Sequence, residues 1–275
     1  MQMRRRNSST DAEESAAAPT HKLSRWALLL TAIAVCVVGG VGAFGLNSRS
    51  TPKAWSPTTV STTVPATTPV TLPVVTHPVG LIAALSSTVS AQSSPGGLAV
   101  APVAATWHGS PALLPVIATQ AGYLEVRLPT RPNGSTAWIP AAGIRLFSTP
   151  YSIVLNLATR HLLVYRDGVL KFDMPAGVGT PSDPTPTGQF FVAFFAVAPS
   201  AAWGSFLMVT SAHSNAITDW EASGDALVAI HGPLGEDSEI GTTGAQISHG
   251  CIRLHDSDLA KLRVVPDGSP IDIIR

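Results

Sequence analysis

The 275-residue chain balances 17 Lys and Arg against 17 Asp and Glu, and the basic residues are scattered along its outer part, so no phosphate-tracking surface for nucleic acid is encoded. Its mean hydropathy is positive, which implies that part of it meets lipid. Cys36 and Cys251 are the only cysteines; they fall in segments that are not expected to meet, which excludes a disulfide framework and leaves Cys251 as a lone thiol.

Residues 1–25 are polar, with Arg4, Arg5, Arg6, Lys22 and Arg25 outweighing Asp11, Glu13 and Glu14. Trp26 to Leu46 follows as an uncharged run, WALLLTAIAVCVVGGVGAFGL, which at about 1.5 Å per residue can cross about 30 Å of hydrocarbon. This predicts one transmembrane helix over 26–46. The basic excess before it places 1–25 in the cytoplasm and the rest of the chain outside, in the wall or periplasmic space. A cleaved signal peptide is the alternative, since Val41-Gly42-Ala43 offers small residues; the long polar leader and over-long apolar core favour the anchor.

Residues 47–97 read as a linker. From Ser48 to Pro78 the composition is mostly Thr, Pro, Ser and Val, which cannot bury enough apolar surface to fold and which Pro keeps extended. Leu81 to Ser94 is readable either as a short helix or as more linker. Residues 98–148 read as a small all-β unit: the runs LLPVIA, YLEVRL, TAWIP and IRLF are separated by Gln120-Ala121-Gly122 and Arg131-Pro132-Asn133-Gly134, at the spacing of a compact barrel. The segment GYLEVRLPTRPNGSTAWIP resembles bacterial SH3-like domains; a strand-rich spacer without a ligand is the plain alternative. Asn133-Gly134-Ser135 fits a glycosylation acceptor, but an Asn-Gly turn explains it without sugar.

Residues 149–275 are also β-rich. SIVLNL and HLLVYR alternate and are joined by Ala158-Thr159-Arg160, and Asp167-Gly168 supplies a tight turn into VLKFDMPA. QFFVAFFAV, SFLMVT and ALVAI continue the pattern, Asp256 or Ser257 can cap a short helix over Leu259 to Arg263, and IDII closes as a strand. The fold expected is therefore mainly β with a short helix.

The chemistry is concentrated in ALVAIHGPLGEDSEIGTTGAQISHGCIRL. His231 ends a predicted strand, and a Gly-rich loop returns the chain to Ser248-His249-Gly250-Cys251, so two imidazoles and one thiol can converge. A thiol is only slightly ionised at neutral pH, so acyl transfer needs an adjacent imidazole to take its proton. That base is commonly oriented by a third group, and the Gly232 carbonyl is placed for it. Gly250 permits an unusual backbone conformation, letting the Gly250 and Cys251 amides face a developing oxyanion.

The pattern of His231-Gly232, fifteen intervening residues and Ser248-His249-Gly250-Cys251 is similar to the signature of L,D-transpeptidases with a YkuD-type catalytic domain. The resemblance spans about residues 150 to 275, and Thr185-Pro186-Thr187-Gly188 looks like the TPxG element of that family. It implies Cys251 as nucleophile, His231 as general base and the Gly232 carbonyl as its support. His249 and Ser248 are implied to shape the site and stabilise charge, and the Gly250 and Cys251 amides to form the oxyanion hole. Many members carry Asn two residues after the cysteine; here Arg253 stands there. A cation in that place can hold a substrate carboxylate and lower the thiol pKa, or form a structural ion pair with an acid such as Asp256. The resemblance further implies peptidoglycan stem peptides as substrates, 3→3 cross-links as products, carbapenem sensitivity through the same sulfur, and no cofactor.

Other readings are weaker. A zinc site from His231, His249, Cys251 and His255 has the residue types, but no HExxH or paired CxxC motif is present. His108, His161, His213 and His255 sit in polar or strand-edge contexts expected of surface or hydrogen-bonded residues, Gly177-Val178-Gly179 reads as a loop, and Trp203 and Trp220 as packing or a groove lining. A sortase-like transpeptidase shares the His, Cys, Arg order but not His-Gly before the cysteine; a non-catalytic wall-binding protein is the alternative from another class.

Overall fold

The computed structural model describes residues 75–76, 80–220, 222–242 and 245–275. The expected cytoplasmic tail, transmembrane helix and most of the Thr- and Pro-rich linker, with Cys36, lie outside the described residues. Among the described residues no helix is long and apolar enough to cross a membrane. What is described is mainly β with one short α-helix.

Residues 80–148, the leading β unit, form an antiparallel sheet. Its order is Arg145–Ser148, Leu81–Ala84, Leu113–Gln120, Tyr123–Arg127, Thr136–Pro140, Val89–Gln92 and Ala99–Val103, with Val75–Thr76 added beside Leu113–Gln120. Alternation selects the core: Leu124 and Val126 point inward from one strand and meet Leu114, Val116 and Ile139. The stretch 81–94, expected as short helix or linker, instead supplies two strands of this sheet, Leu81–Ala84 and Val89–Gln92. LIAA is too short and too uniformly apolar for its period to distinguish helix from strand. Pairing with Leu113–Gln120 and Arg145–Ser148 decides it, so the linker boundary at residue 97 is corrected to lie before Gly80.

The second sheet runs Val169–Pro175, His161–Arg166, Tyr151–Asn156, Pro270–Ile274, Gly188–Ala196, Leu207–His213, Leu227–His231, Ile252–Arg253. Tyr151–Asn156 pairs antiparallel with His161–Arg166, across a turn in which Asn156 Oδ1 accepts the Ala158 and Thr159 amides. Asp167 and Gly168 both have positive φ, 53° and 74°, as a two-residue hairpin turn of matching twist requires. Val178–Gly179, expected as loop, is a short strand beside Gln246–Ser248. The helix spans Asp256–Lys261 with His255 at its N-cap, one turn earlier than expected and without a side-chain capping bond.

Gly188–Ala196 explains its own unbroken apolar run. Phe190 and Val192 enter the core of the second sheet, while Phe191 and Ala193 enter that of the leading unit. A strand buried on both faces has no need of polar alternation. Each phenylalanine is 2% exposed, and burial of such a side chain contributes about 1.5–3 kcal/mol. The two units also meet at Gly268, where a Cβ would lie 2.8 Å from an Ile82 methyl.

Candidate active site

Register assembles the site. Leu227–His231 runs parallel to Ile252–Arg253 with Ile230 opposite Ile252 and His231 opposite Arg253. Cys251 is therefore level with Ala229. Because side chains alternate with period two, Ala229, His231, Cys251 and Arg253 project from one face. That face floors a cavity of about 570 Å³ lined by His231, Cys251, Arg253, Ser248, His249 and Trp203, among others.

His231 is 1% exposed, and its Nδ1 lies 2.8 Å from the Gly232 carbonyl oxygen. That contact makes Nδ1 the donor and leaves Nε2 as the lone-pair acceptor a general base needs. Gly232 is sterically required: a Cβ there would come within 2.7 Å of Gly204 N and Asp256 Oδ1 and 2.8 Å of the Trp203 carbonyl carbon. The Trp203 ring packs on the imidazole with centroids 4.6 Å apart. Burial pushes the imidazole pKa down to about 4; the Gly232 contact opposes this and Arg253 adds to it. The ring is thus neutral at physiological pH.

Cys251 is half-buried. Its sulfur accepts the Ala229 N–H at 3.5 Å and lies 3.9 Å from the Leu227 carbonyl. Burial pushes the thiol pKa up, against smaller downward contributions from the Ala229 amide and Arg253. The expectation that Arg253 lowers the thiol pKa therefore holds for its own contribution and is outweighed by desolvation. These environments favour the uncharged forms of both groups, a thiol and an imidazole lining one cavity.

The loop before the cysteine is built locally. Ser248 Oγ donates to the Cys251 carbonyl at 2.5 Å and accepts the Gly250 N–H at 3.1 Å. Gly250 has φ of 114°, the left-handed region a side chain avoids. Ser248 thus takes up the Gly250 amide that was expected to face an oxyanion; of that expected pair the Cys251 amide is the one without such a competitor among the described residues. Thr185, 4% exposed, braces the loop from the other side: its hydroxyl donates to the Gly250 carbonyl and accepts the Gly179 N–H, both at 2.9 Å. This gives Thr185 of the TPTG element a physical role that spacing alone did not reveal.

Arg253 reaches the Pro233 carbonyl at 3.4 Å, while its buried Nε has no hydrogen-bond partner among the described residues. No ion pair with Asp256 exists among the described residues; Asp256 packs over Gly204 and Gly232 instead. A guanidinium that lines a cavity with Nε free suits a carboxylate ligand. Exposed His249 meets Trp220 with ring centroids 5.5 Å apart, so Trp203 and Trp220 both line the cavity. His108 of the leading unit also lines it, a contribution that no local motif signalled. His161 and His255 sit against Asp173 and Asp237, and His213 is buried between the two units. Among the described residues no group of three or more His, Cys, Asp and Glu is arranged to hold a metal ion.

A family model described as the L,D-transpeptidase catalytic domain, YkuD, matches residues 150–273. A Bacillus licheniformis protein carrying the name L,D-transpeptidase YkuD is 30% identical over 142 residues, covering 51% of this chain and 74% of that protein. Its namesake in Bacillus subtilis is 25% identical over 130 residues, covering 47% and 69%. Among solved structures, L,D-transpeptidase 3 from Mycobacterium tuberculosis in complex with a faropenem-derived adduct is 17% identical, with a TM-score of 0.37, covering 56% of this chain and 92% of that one.

Proposed function

This chain belongs to the YkuD-type L,D-transpeptidase family, and on that premise we propose that it forms 3→3 peptidoglycan cross-links through a thioester on Cys251. The observation that carries this reading is the strand register that sets His231, Cys251 and Arg253 on one face of a cavity, with Nδ1 of His231 held by the Gly232 carbonyl.

In the first half-reaction His231 Nε2 takes the thiol proton as Sγ attacks the carbonyl carbon of the third residue of a tetrapeptide stem. The imidazolium then returns that proton to the nitrogen of the terminal D-alanine as the C–N bond breaks, leaving the thioester. In the second, an acceptor amine on the side chain of a neighbouring stem attacks the thioester carbon, its proton passes to His231 and on to Sγ, and the C–S bond breaks. Starting from neutral partners suits this sequence, since charge develops only as the proton moves and a base need not be ionised beforehand. The Cys251 amide faces the developing oxyanion, and Arg253 holds a stem carboxylate. A β-lactam of the carbapenem class acylates the same sulfur, its ring C–N bond opening and its nitrogen taking the proton. Membrane anchoring over 26–46 and an SH3-like character of the leading unit belong to this proposal, and both hold the catalytic unit in the wall layer.

Incubating the protein with disaccharide-tetrapeptides tests it. The expected result is release of D-alanine and a dimer joined between third-position residues, both lost in Cys251→Ala. Intact tetrapeptides after prolonged incubation would overturn the reading.

A further inference from the structure

The cavity is not built by the catalytic unit alone. Between Leu207–His213 and Leu227–His231 the chain makes an arm, described over residues 214–220 and 222–226, whose Ser214, Ile217, Trp220 and Asp225 line the cavity. The arm is internally turned by Ser214 Oγ, which accepts the Ala216 and Ile217 amides at 3.3 and 3.0 Å, and by Asp219 Oδ1, which accepts the Gly224 amide at 2.8 Å. Its tip places Trp220 against His249. Few of its side chains are buried, so by itself it has little to hold it over the floor of the site.

Its hold comes from the leading β unit. Arg131 Nε donates to Asp225 Oδ1 at 2.9 Å, Nη1 to the Ser214 carbonyl at 2.9 Å and Nη2 to the Ile217 carbonyl at 3.1 Å. One guanidinium thus ties the outgoing stem of the arm to its returning stem, which a planar fork of donors can do and a point charge cannot. Asn133 repeats the grip one turn along: Nδ2 donates to the His213 carbonyl at 2.7 Å and to Asn215 Oδ1 at 3.2 Å, and Oδ1 accepts the His213 amide at 2.9 Å. His213 itself is 2% exposed and reaches back, with Nε2 2.9 Å from the Pro129 carbonyl oxygen and Nδ1 2.7 Å from Asp225 Oδ2. Burial alone would raise the Asp225 carboxyl, but His213, the Ala226 amide and Arg131 together hold it below the usual range. The charged form of Asp225 is therefore the one the clasp keeps.

We propose that the turn 129–133 of the leading β unit is a clamp on the arm 214–226, with Arg131 as the positioning residue that sets the mouth through which an acyl donor reaches Cys251. The leading unit is then part of the enzyme's site, not only a spacer before it. His108, from the same unit, contributes to the cavity wall directly, and Trp107 beside it packs edge-on against Phe194 and His213. The clamp deepens the acyl-transfer reading but is tested apart from it.

The test compares the wild-type chain with Arg131→Gln by amide hydrogen exchange over 214–226, by the rate of acylation with faropenem and by alkylation of Cys251 with iodoacetamide, which is small enough to need no shaped mouth. The clamp predicts exchange at least about tenfold faster in the arm, acylation about tenfold slower and alkylation within about twofold of wild type. Should Arg131→Gln fail to fold, Asn133→Ser is expected to show the same pattern in smaller measure. Unchanged exchange in a folded variant overturns the clamp, as does faster exchange with unchanged acylation, or acylation and alkylation falling together. If wild type is not acylated at all, the acyl-transfer reading fails, while the exchange comparison still decides whether Arg131 restrains the arm.

Discussion

Two histidines end neighbouring strands, His213 on Leu207–His213 and His231 on Leu227–His231, in different surroundings. Both are buried, and each has one ring nitrogen near a backbone carbonyl, Pro129 for His213 and Gly232 for His231. They differ at the other nitrogen. That of His213 meets the carboxylate of Asp225; that of His231 has no partner among the described residues, in a cavity it shares with a thiol and the Arg253 guanidinium. A histidine with one nitrogen on a carbonyl and the other against a carboxylate fixes an interface, whereas one with a spare lone pair is kept neutral by burial and, in smaller part, by a cation nearby.

The sharpest way to break this contrast is to remove each ring. His231→Ala is expected to slow β-lactam acylation about 10²–10⁴-fold, the range of a general base, far more than the stability lost with the Gly232 contact explains. His213→Ala is expected to do the reverse for the thiol itself, leaving iodoacetamide alkylation near wild type. Its stability should fall by about 1–3 kcal/mol as the Pro129 carbonyl and Asp225 lose their partner, measured by urea unfolding. Equal losses in both variants would dissolve the distinction.

A second test moves the support and not the ring. Gly232→Ala inserts a methyl 2.7 Å from Asp256 Oδ1 and 2.8 Å from the Trp203 carbonyl carbon, so something must shift. The expected cost is about 1–3 kcal/mol of stability, with acylation falling by more than stability explains because the carbonyl that sets the His231 tautomer moves with it.

The pH dependence sharpens the electrostatic half. A histidine whose folded pKa lies near 4, below an ordinary value of about 6.5, is protonated more readily when unfolded. Stability is therefore full above about pH 6.5 and declines as pH falls towards 4, by about 3 kcal/mol in all. His231→Gln should flatten that decline. The raised thiol pKa predicts alkylation that climbs with pH between 5 and 8, whereas a preformed thiolate–imidazolium pair would give a plateau there.

The smallest effect belongs to Thr185. Thr185→Val removes the hydroxyl that bridges Gly179 and Gly250 and should destabilise by about 1–3 kcal/mol, with several-fold slower acylation. Thr185→Ser should restore both rates and stability to near wild type.

What the sequence disclosed follows from distance along the chain. The strand pairs of residues 151–175 were legible because alternation and the Asp167-Gly168 turn are local. That Cys251 and His231 come onto one face was legible because a short spacer separates two motifs on adjacent parallel strands. The strands Leu81–Ala84 and Val89–Gln92 were not, since LIAA and VSAQ are each too short to declare a period until their partners are known. The fate of the Gly250 amide was hidden by a side-chain competitor two residues away, a choice between local hydrogen bonds that composition does not settle. Arg131 read as part of a turn, and its partners Ser214, Ile217 and Asp225 lie more than 80 residues away; no local pattern reports such a contact.

The central claim, that Cys251 is a nucleophile served by His231, is tested most directly by intact-mass spectrometry after exposure to faropenem, followed by peptide mapping. The account predicts one covalent adduct located on Cys251, absent in Cys251→Ala and formed far more slowly in His231→Ala. An adduct that persists in Cys251→Ala, or wild-type protein of unchanged mass, would contradict it.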